Sequence, residues 1–256
     1  MKDDEAVFTP SDFIRQAAEN RKVPVEAIKV PRCLLLTYQR SIYKHAKKLI
    51  DGKEIDWLYG EGQPVCVGRF NGVEVGAARF WVGAPAAIMT LEEAIVCGAK
   101  TIFEVGLSGG LQDFLKPGDI VVVTEANRDE GTSNHYLEPG VKVEASPRLR
   151  DGLISIMKGK AARHFVGPVW TTDAVYRETR GEFRKFKSSG VLAVDMETSA
   201  IFALAKYRNV EAASAQVISD VLTETGWLQA WRHQSVTTSI ELVVRCVFEA
   251  MSSTFQ

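Results

Sequence analysis

Thr101-Ile102-Phe103-Glu104-Val105-Gly106-Leu107-Ser108-Gly109-Gly110 is the stretch that decides the fold class. Its first half is a short apolar run rich in β-branched and aromatic residues, which reads as a buried strand. Its second half carries Gly106, Gly109 and Gly110. Glycine removes side-chain obstruction, so this half predicts a turn whose exposed backbone N–H groups form a nest for an anion such as phosphate. No Gly-Lys-Ser/Thr follows, so the turn is not a P-loop. A buried strand delivering its carboxyl end to such a turn belongs to an α/β architecture.

The flanking sequence extends that pattern in both directions. Upstream, residues 86–98 read as a helix behind Gly83-Ala84-Pro85, and Asn71-Gly72 joins strand-like Val65–Phe70 and Val73–Trp81 into a hairpin. Cys33–Tyr38 reads as a buried strand, Gln39–Leu49 as a helix, and Thr9-Pro10-Ser11-Asp12 as a capped helix start. Downstream come a strand over Asp119–Thr124, a helix near 147–158, a strand at 163–170 and a helix at 180–188. A short strand at 191–194, a helix at 195–208 and a strand over Ala212–Ser219 follow. A long amphipathic helix spans 228–251, with Val236, Ile240, Val243, Val244 and Val247 at helical spacing. The alternation predicts an α/β fold, a three-layer αβα sandwich around a mixed, mainly parallel sheet. The 256 residues suit one domain, 1–256, with 1–30 as an N-terminal helical extension.

Composition narrows the function. With 31 basic against 32 acidic residues and a formal net charge of −1, the chain lacks the basic excess of a nucleic-acid binder. The clusters Lys44–Lys47–Lys48 and Arg184–Lys185–Lys187 read as solvated helix faces. Cys33, Cys66, Cys97 and Cys246 sit far apart among apolar neighbours, without zinc-like spacing, so they read as reduced core residues of a cytoplasmic protein. The acidic start MKDDEAVF lacks an apolar core and reads as no signal peptide. No run of about 18 apolar residues exists, so no membrane span is expected.

Five segments carry chemistry. The glycine stretch is the first. In Val194-Asp195-Met196-Glu197-Thr198-Ser199-Ala200 a strand leads into a helix whose first turn bears two carboxylates. Acids there complement the helix dipole; alternatively, Glu197 accepts hydrogen bonds from ribose hydroxyls while Met196 packs on the sugar. Val217-Ile218-Ser219-Asp220 places an acid at the carboxyl end of a buried strand, where α/β ligand sites form, or where a cap is needed. Arg128-Asp129-Glu130-Gly131-Thr132-Ser133-Asn134-His135-Tyr136 reads as a polar loop able to recognise a polar ligand, with a plain surface loop as competitor. Trp170 to Thr179, including Val175 and Tyr176, mixes aromatic and polar groups as base stacking and edge recognition require.

In this order the five segments resemble the nucleoside phosphorylase superfamily, from about residue 31 to the end. Asp195-Met196-Glu197 is similar to its ribose-binding Glu-Met-Glu signature, with Ser219-Asp220 following about two dozen residues later. The resemblance implies that Met196, Glu197 and His135 bind ribose, that Arg40, Gly106 and Ser108 bind phosphate, and that Val175, Tyr176 and Asp220 bind the base. It implies Asp220 as the catalytic acid, no metal or organic cofactor, phosphate as co-substrate, and a homo-oligomer (a dimer or trimer of dimers). In such an assembly His135 or His45 could complete a neighbour's site. The sequence departs from the family in three places. Glu104 stands where relatives place an arginine, Leu107 stands where they place Ser or Thr, and the Gly-Asp-Pro-x-Arg segment is replaced by Leu36-Thr37-Tyr38-Gln39-Arg40. The Gln-x-Arg pair of uracil readers is absent at Thr179-Arg180-Gly181, which favours a purine.

The expected reaction is phosphorolysis of a nucleoside to free base and (deoxy)ribose 1-phosphate. Asp220 protonates N7 of the departing base while the site stabilises an oxocarbenium ion. A hydrolytic nucleosidase is the alternative, since Glu104 could repel phosphate or activate water. Like charges ~4 Å apart repel by about 4 kcal/mol at an effective dielectric of 20. A non-catalytic nucleoside-binding protein is the third reading, and retaining both Glu197 and Asp220 argues against it.

Overall fold

The computed structural model describes residues 6–253; residues 1–5, on which much of the acidic N-terminal reading rests, and 254–256 lie outside it. Helix α1 (Pro10–Arg21) begins at Thr9, whose side chain accepts from the Asp12 N–H while Asp12 accepts from the Thr9 N–H, the expected capping box. Next come β1 (Cys33–Thr37), α2 (Arg40–Leu49), β2 (Lys53–Glu54), β3 (Val65–Phe70) and β4 (Val73–Arg79). Between β3 and β4, Asn71 and Gly72 both take positive φ, 49° and 81°, which is why this pair closes the hairpin. Helix α3 (Ala84–Val96) leads to β5 (Thr101–Gly110), β6 (Ile120–Asp129) and β7 (Val143–Glu144). The chain continues through α4 (Pro147–Gly159), β8 (His164–Thr172), α5 (Arg180–Ser188), β9 (Ala193–Asp195) and α6 (Thr198–Arg208). It closes with β10 (Glu211–Thr223), β11 (Gly226–Gln229) and α7 (Gln234–Ser253).

All described strands join one mixed sheet in the order β11-β10-β6-β8-β9-β5-β1-β4-β3-β2, with β7 beside β6. Strand β10 also pairs β5, so β10, β6, β8, β9 and β5 close on themselves as a small barrel. The parallel pairings are β1 with β4 and β5, β5 with β10, and β8 with β6 and β9. Helices α2, α4 and α7 pack together on one side, and α1, α3 and α6 on the other. This is the expected layered α/β arrangement, with a barrel at its centre that the strand pattern alone did not specify. The sheet and its helices are lined by fully buried Leu34, Phe103, Val121, Phe202, Val243 and Phe248. All four cysteines are buried and free. No described helix is long and apolar enough to cross a membrane.

Three expectations need correction. The glycine stretch is not a turn: β5 runs straight through Gly110, because β10 pairs it from Thr101 to Gly110, with one bulge in β10 at Ser219. The Arg128–Tyr136 segment starts inside β6, which extends to Asp129 beside β8. The last helix starts at Gln234, not 228, because Gly226–Gln229 pairs antiparallel with the end of β10.

Candidate active site

Strand β1 pairs β5 only as far as Glu104, so beyond that point one edge of β5 opens. A cavity of about 620 Å³ lies at this end of the sheet, lined by residues of β5, β9 and β10 and by the start of α5 and β11. Ligands in α/β sheets gather at such strand ends, where neighbouring strands diverge. The glycines of β5 make room rather than a nest. A Cβ on Gly106 would sit 2.4 Å from Gln216 Oε1, and one on Gly109 would sit 2.8 Å from Leu222 Cδ1 and 3.2 Å from Asp220 Oδ2. Ser108, between them, lines the cavity, is 3% exposed, and its Oγ has no partner among the described residues. An unpaired buried hydroxyl is costly, so its place in the wall marks it for a ligand.

Two buried acids, Asp195 and Glu197, line the cavity, and a third, Glu104, lies behind them. Asp195 ends β9 and accepts from the Thr171 hydroxyl at 2.7 Å and from the backbone N–H groups of Glu197 and Thr198, both at 3.2 Å. Asp195 thus stands two residues ahead of the α6 N-cap, Glu197, where the helix dipole favours an acid. Glu197 is N-terminal to α6, is 5% exposed, and accepts from the Gly83 N–H at 2.6 Å. Burial, and next the charge of Glu104, holds the Glu197 carboxyl well above its ordinary range.

Glu104 is fully buried. Its Oε1 accepts from the Tyr38 hydroxyl at 2.9 Å, and its Oε2 lies 2.7 Å from Thr198 Oγ1. Thr198 Oγ1 also lies 2.6 Å from Asp195 Oδ2 and takes the Gln216 amide N–H at 3.2 Å. A hydroxyl has one proton to give, so it can serve both carboxyls only when one of them is protonated and donates back. Asp195 already has three other donors; Glu104 has Tyr38 and Ser214. Glu104 is therefore the proton carrier, and burial, then the charge of Asp195, pushes it up to about 7. Below about pH 7 Glu104 is neutral, and it lies outside the cavity lining, so there it does not repel phosphate.

Asp220 reaches the cavity through a bulge. Ile218 pairs Ser108 and Asp220 pairs Gly109, so Ser219 is an extra residue in β10, and bulges of this kind re-aim the side chain that follows. The Asp220 carboxylate accepts from the Ser219 hydroxyl at 2.7 Å, from Trp227 Nε1 at 2.7 Å and from Trp231 Nε1 at 3.3 Å. Both indoles line the cavity and their rings lie 5.3 Å apart. Glu178, half-buried just before α5, lines the same cavity and has neither a hydrogen bond nor an ion pair among the described residues. Burial, and then the charge of Asp220, pushes its carboxyl up to about 7.

Of the residues singled out from sequence, Ser108, Val175, Tyr176, Met196, Glu197 and Asp220 line this one cavity. Gly106, Arg40 and His135 are not in its lining: Gly106 lies under Gln216, Arg40 is exposed at the start of α2, and His135 is exposed in a 3-10 turn. The Arg128 segment folds on itself instead of facing the cavity. The Arg128 guanidinium donates to Ser133, Asn134 and the carbonyls of Leu137, Glu138 and Val141. Sequence reasoning missed Trp227 and Trp231, which fell at the start of an assumed helix, and gave Glu178 no role. Thr223-Glu224-Thr225-Gly226, whose Thr223 and Gly226 exchange hydrogen bonds, was the available turn signal.

The family model of the phosphorylase superfamily matches residues 43–249. The chain belongs to that superfamily. It is 29% identical over 147 residues to a guanosine phosphorylase of Halorubrum lacusprofundi, covering 57% of this chain and 60% of that protein. It is 24% identical over 185 residues to a DeoD-type purine nucleoside phosphorylase of Shewanella oneidensis, covering 70% and 78% respectively. The chain thus spans about 60% of the length of the first of these superfamily relatives. In fold, it resembles the crystal structure of uridine phosphorylase from Vibrio fischeri, with a TM-score of 0.79 at 21% identity, over 88% of this chain and 95% of that one.

Proposed function

We propose that this superfamily member cleaves the N-glycosidic bond of a nucleoside with phosphate as nucleophile, releasing free base and (deoxy)ribose 1-phosphate. The observation that carries the reading is the convergence of Glu197, Asp220 and the unpartnered Ser108 hydroxyl on one cavity. Glu197 accepts from the ribose hydroxyls with Met196 against the sugar, Ser108 donates to phosphate, and Val175, Tyr176 and Asp220 meet the base. Relatives named as guanosine and purine nucleoside phosphorylases support a purine. As positive charge develops on the ribose, the Asp195 carboxylate in the cavity wall stabilises the oxocarbenium ion.

The same reading carries a homo-oligomer, a dimer or trimer of dimers, in which exposed His135 and Arg40 serve a neighbour's site. Free buried cysteines fit a cytoplasmic setting. Hydrolysis is the second reading, favoured by one observation: Arg180 is the one guanidinium among the described lining residues. The test is a nucleoside panel incubated with and without phosphate, following free base and ribose 1-phosphate. Base release that requires phosphate and yields ribose 1-phosphate supports phosphorolysis. Equal release of free ribose in phosphate-free buffer transfers the case to hydrolysis, and no release from any nucleoside overturns both.

A further inference from the structure

We propose that Glu178, not Asp220, hands the proton to the departing base, and that Asp220 is the fixed acceptor that orients it. This rests on reading the cavity as a nucleoside site. Asp220 is spoken for: a hydroxyl and two indole N–H groups all point at its oxygens. A carboxylate accepts all three, whereas a carboxylic acid would have to turn one oxygen away from its donor to offer a proton. Glu178 is the opposite case. It lines the same cavity, it is half-buried, and nothing among the described residues engages its oxygens.

The charged groups around Glu178 decide its resting state. Asp220 faces it from β10 and Glu182 from the first turn of α5, and both favour the neutral acid. Arg180, on the same helix start, lines the cavity as the opposing charge. Burial is the larger influence and brings the carboxyl to about 7, the range in which a general acid works best at neutral pH. As the C1′–N bond breaks, its electron pair moves to the base, and the Glu178 proton goes to an acceptor nitrogen of that base. A phosphate oxygen forms the new C1′–O bond, and solvent returns a proton to Glu178. The Trp227 and Trp231 indoles hold Asp220 where it accepts a donor edge of the base.

The experiment compares the full-length protein with Glu178→Gln on guanosine and on 7-methylguanosine. The methylated base leaves as a neutral molecule without protonation, so it needs no acid. Glu178→Gln should lose about 10²–10⁴-fold in kcat/KM on guanosine and stay within a few-fold on 7-methylguanosine. The two substrates are compared below neutrality, where 7-methylguanosine keeps its N1–H. Wild-type kcat/KM on guanosine should fall as pH rises through about 7, when Glu178 gives up its proton, and Glu178→Gln should lose that fall. Equal loss on both substrates, or no loss on either, overturns the assignment to Glu178 while leaving the nucleoside reading in place. Matching pH profiles on guanosine for wild type and Glu178→Gln overturn it as well. A wild-type protein inactive on both overturns this inference, and the nucleoside panel then decides separately whether the nucleoside reading falls with it.

Discussion

Replacing Glu104 by Gln tests the buried proton directly. Glu104 rises from an ordinary 4.5 to about 7. In the unfolded chain it ionises near the ordinary value, while the native state keeps its proton. Between those limits the unfolded state binds fewer protons, so stability is fully held below pH ~4.5 and falls until pH passes about 7. At 1.36 kcal/mol per unit the loss is about 3 kcal/mol, and relaxation around the site brings it to about 1–3 kcal/mol. Gln imitates the protonated acid: its carbonyl accepts from Tyr38 and its amide donates to Thr198, in the places Glu104 now fills. The variant should match wild type at pH 5 and exceed it by about 1–3 kcal/mol at pH 8.5. Urea unfolding followed by tryptophan fluorescence at both values reads this; Glu93 and Glu178 cancel in the difference, while Glu197, lifted in part by the charge of Glu104, relaxes in the variant and adds to its gain at pH 8.5. A gap between the proteins that stays constant with pH, or that favours wild type at pH 8.5, refutes a protonated Glu104. The same variant should retain phosphate-dependent activity, since neither carboxyl oxygen reaches the cavity.

Further expectations follow from the same geometry. Glu197→Ala removes the ribose anchor; at about 1.5–3 kcal/mol for a charge-assisted bond it should cost about 10–150-fold in kcat/KM, and an unaltered kcat/KM would remove Glu197 from the sugar site. Gly109→Ala drives a methyl to 2.8 Å from Leu222 Cδ1 and 3.2 Å from Asp220 Oδ2. Overpacking of this kind costs about 1–3 kcal/mol, so Tm should fall and base release with it. Gly131→Ala, whose Cβ meets nothing closer than 3.7 Å, serves as the control, and equal Tm values for the two variants would contradict the packing argument. Sedimentation should find an oligomer at micromolar concentration; a fully active monomer would dismiss the shared site.

The sequence by itself determined the elements whose signals are local. Thr9 with Asp12 capped α1, Asn71-Gly72 closed the β3–β4 hairpin, and the alternation of apolar strands with helices set the layered α/β class. It also picked out Ser108, Met196, Glu197 and Asp220, because acids and small polar groups at strand ends stand out against an apolar background. What it could not determine was anything settled by pairing between distant segments. Glycines at 106 and 109 look the same in a turn and in a strand. Only the β10 ladder made them strand, and only Gln216, Leu222 and Asp220 pressing against them explain the missing side chains. Residues 228 and 229 read as the start of a helix until β10 offered Gly226–Gln229 an antiparallel partner, and with that pairing came the two tryptophans that grip Asp220. Charge behaves the same way. Glu104 is an anion in the sequence, yet burial beside Asp195, with a single threonine hydroxyl between them, makes it an acid that keeps its proton. A side chain's protonation depends on what surrounds it in space, and that environment exists only once the chain has closed on itself.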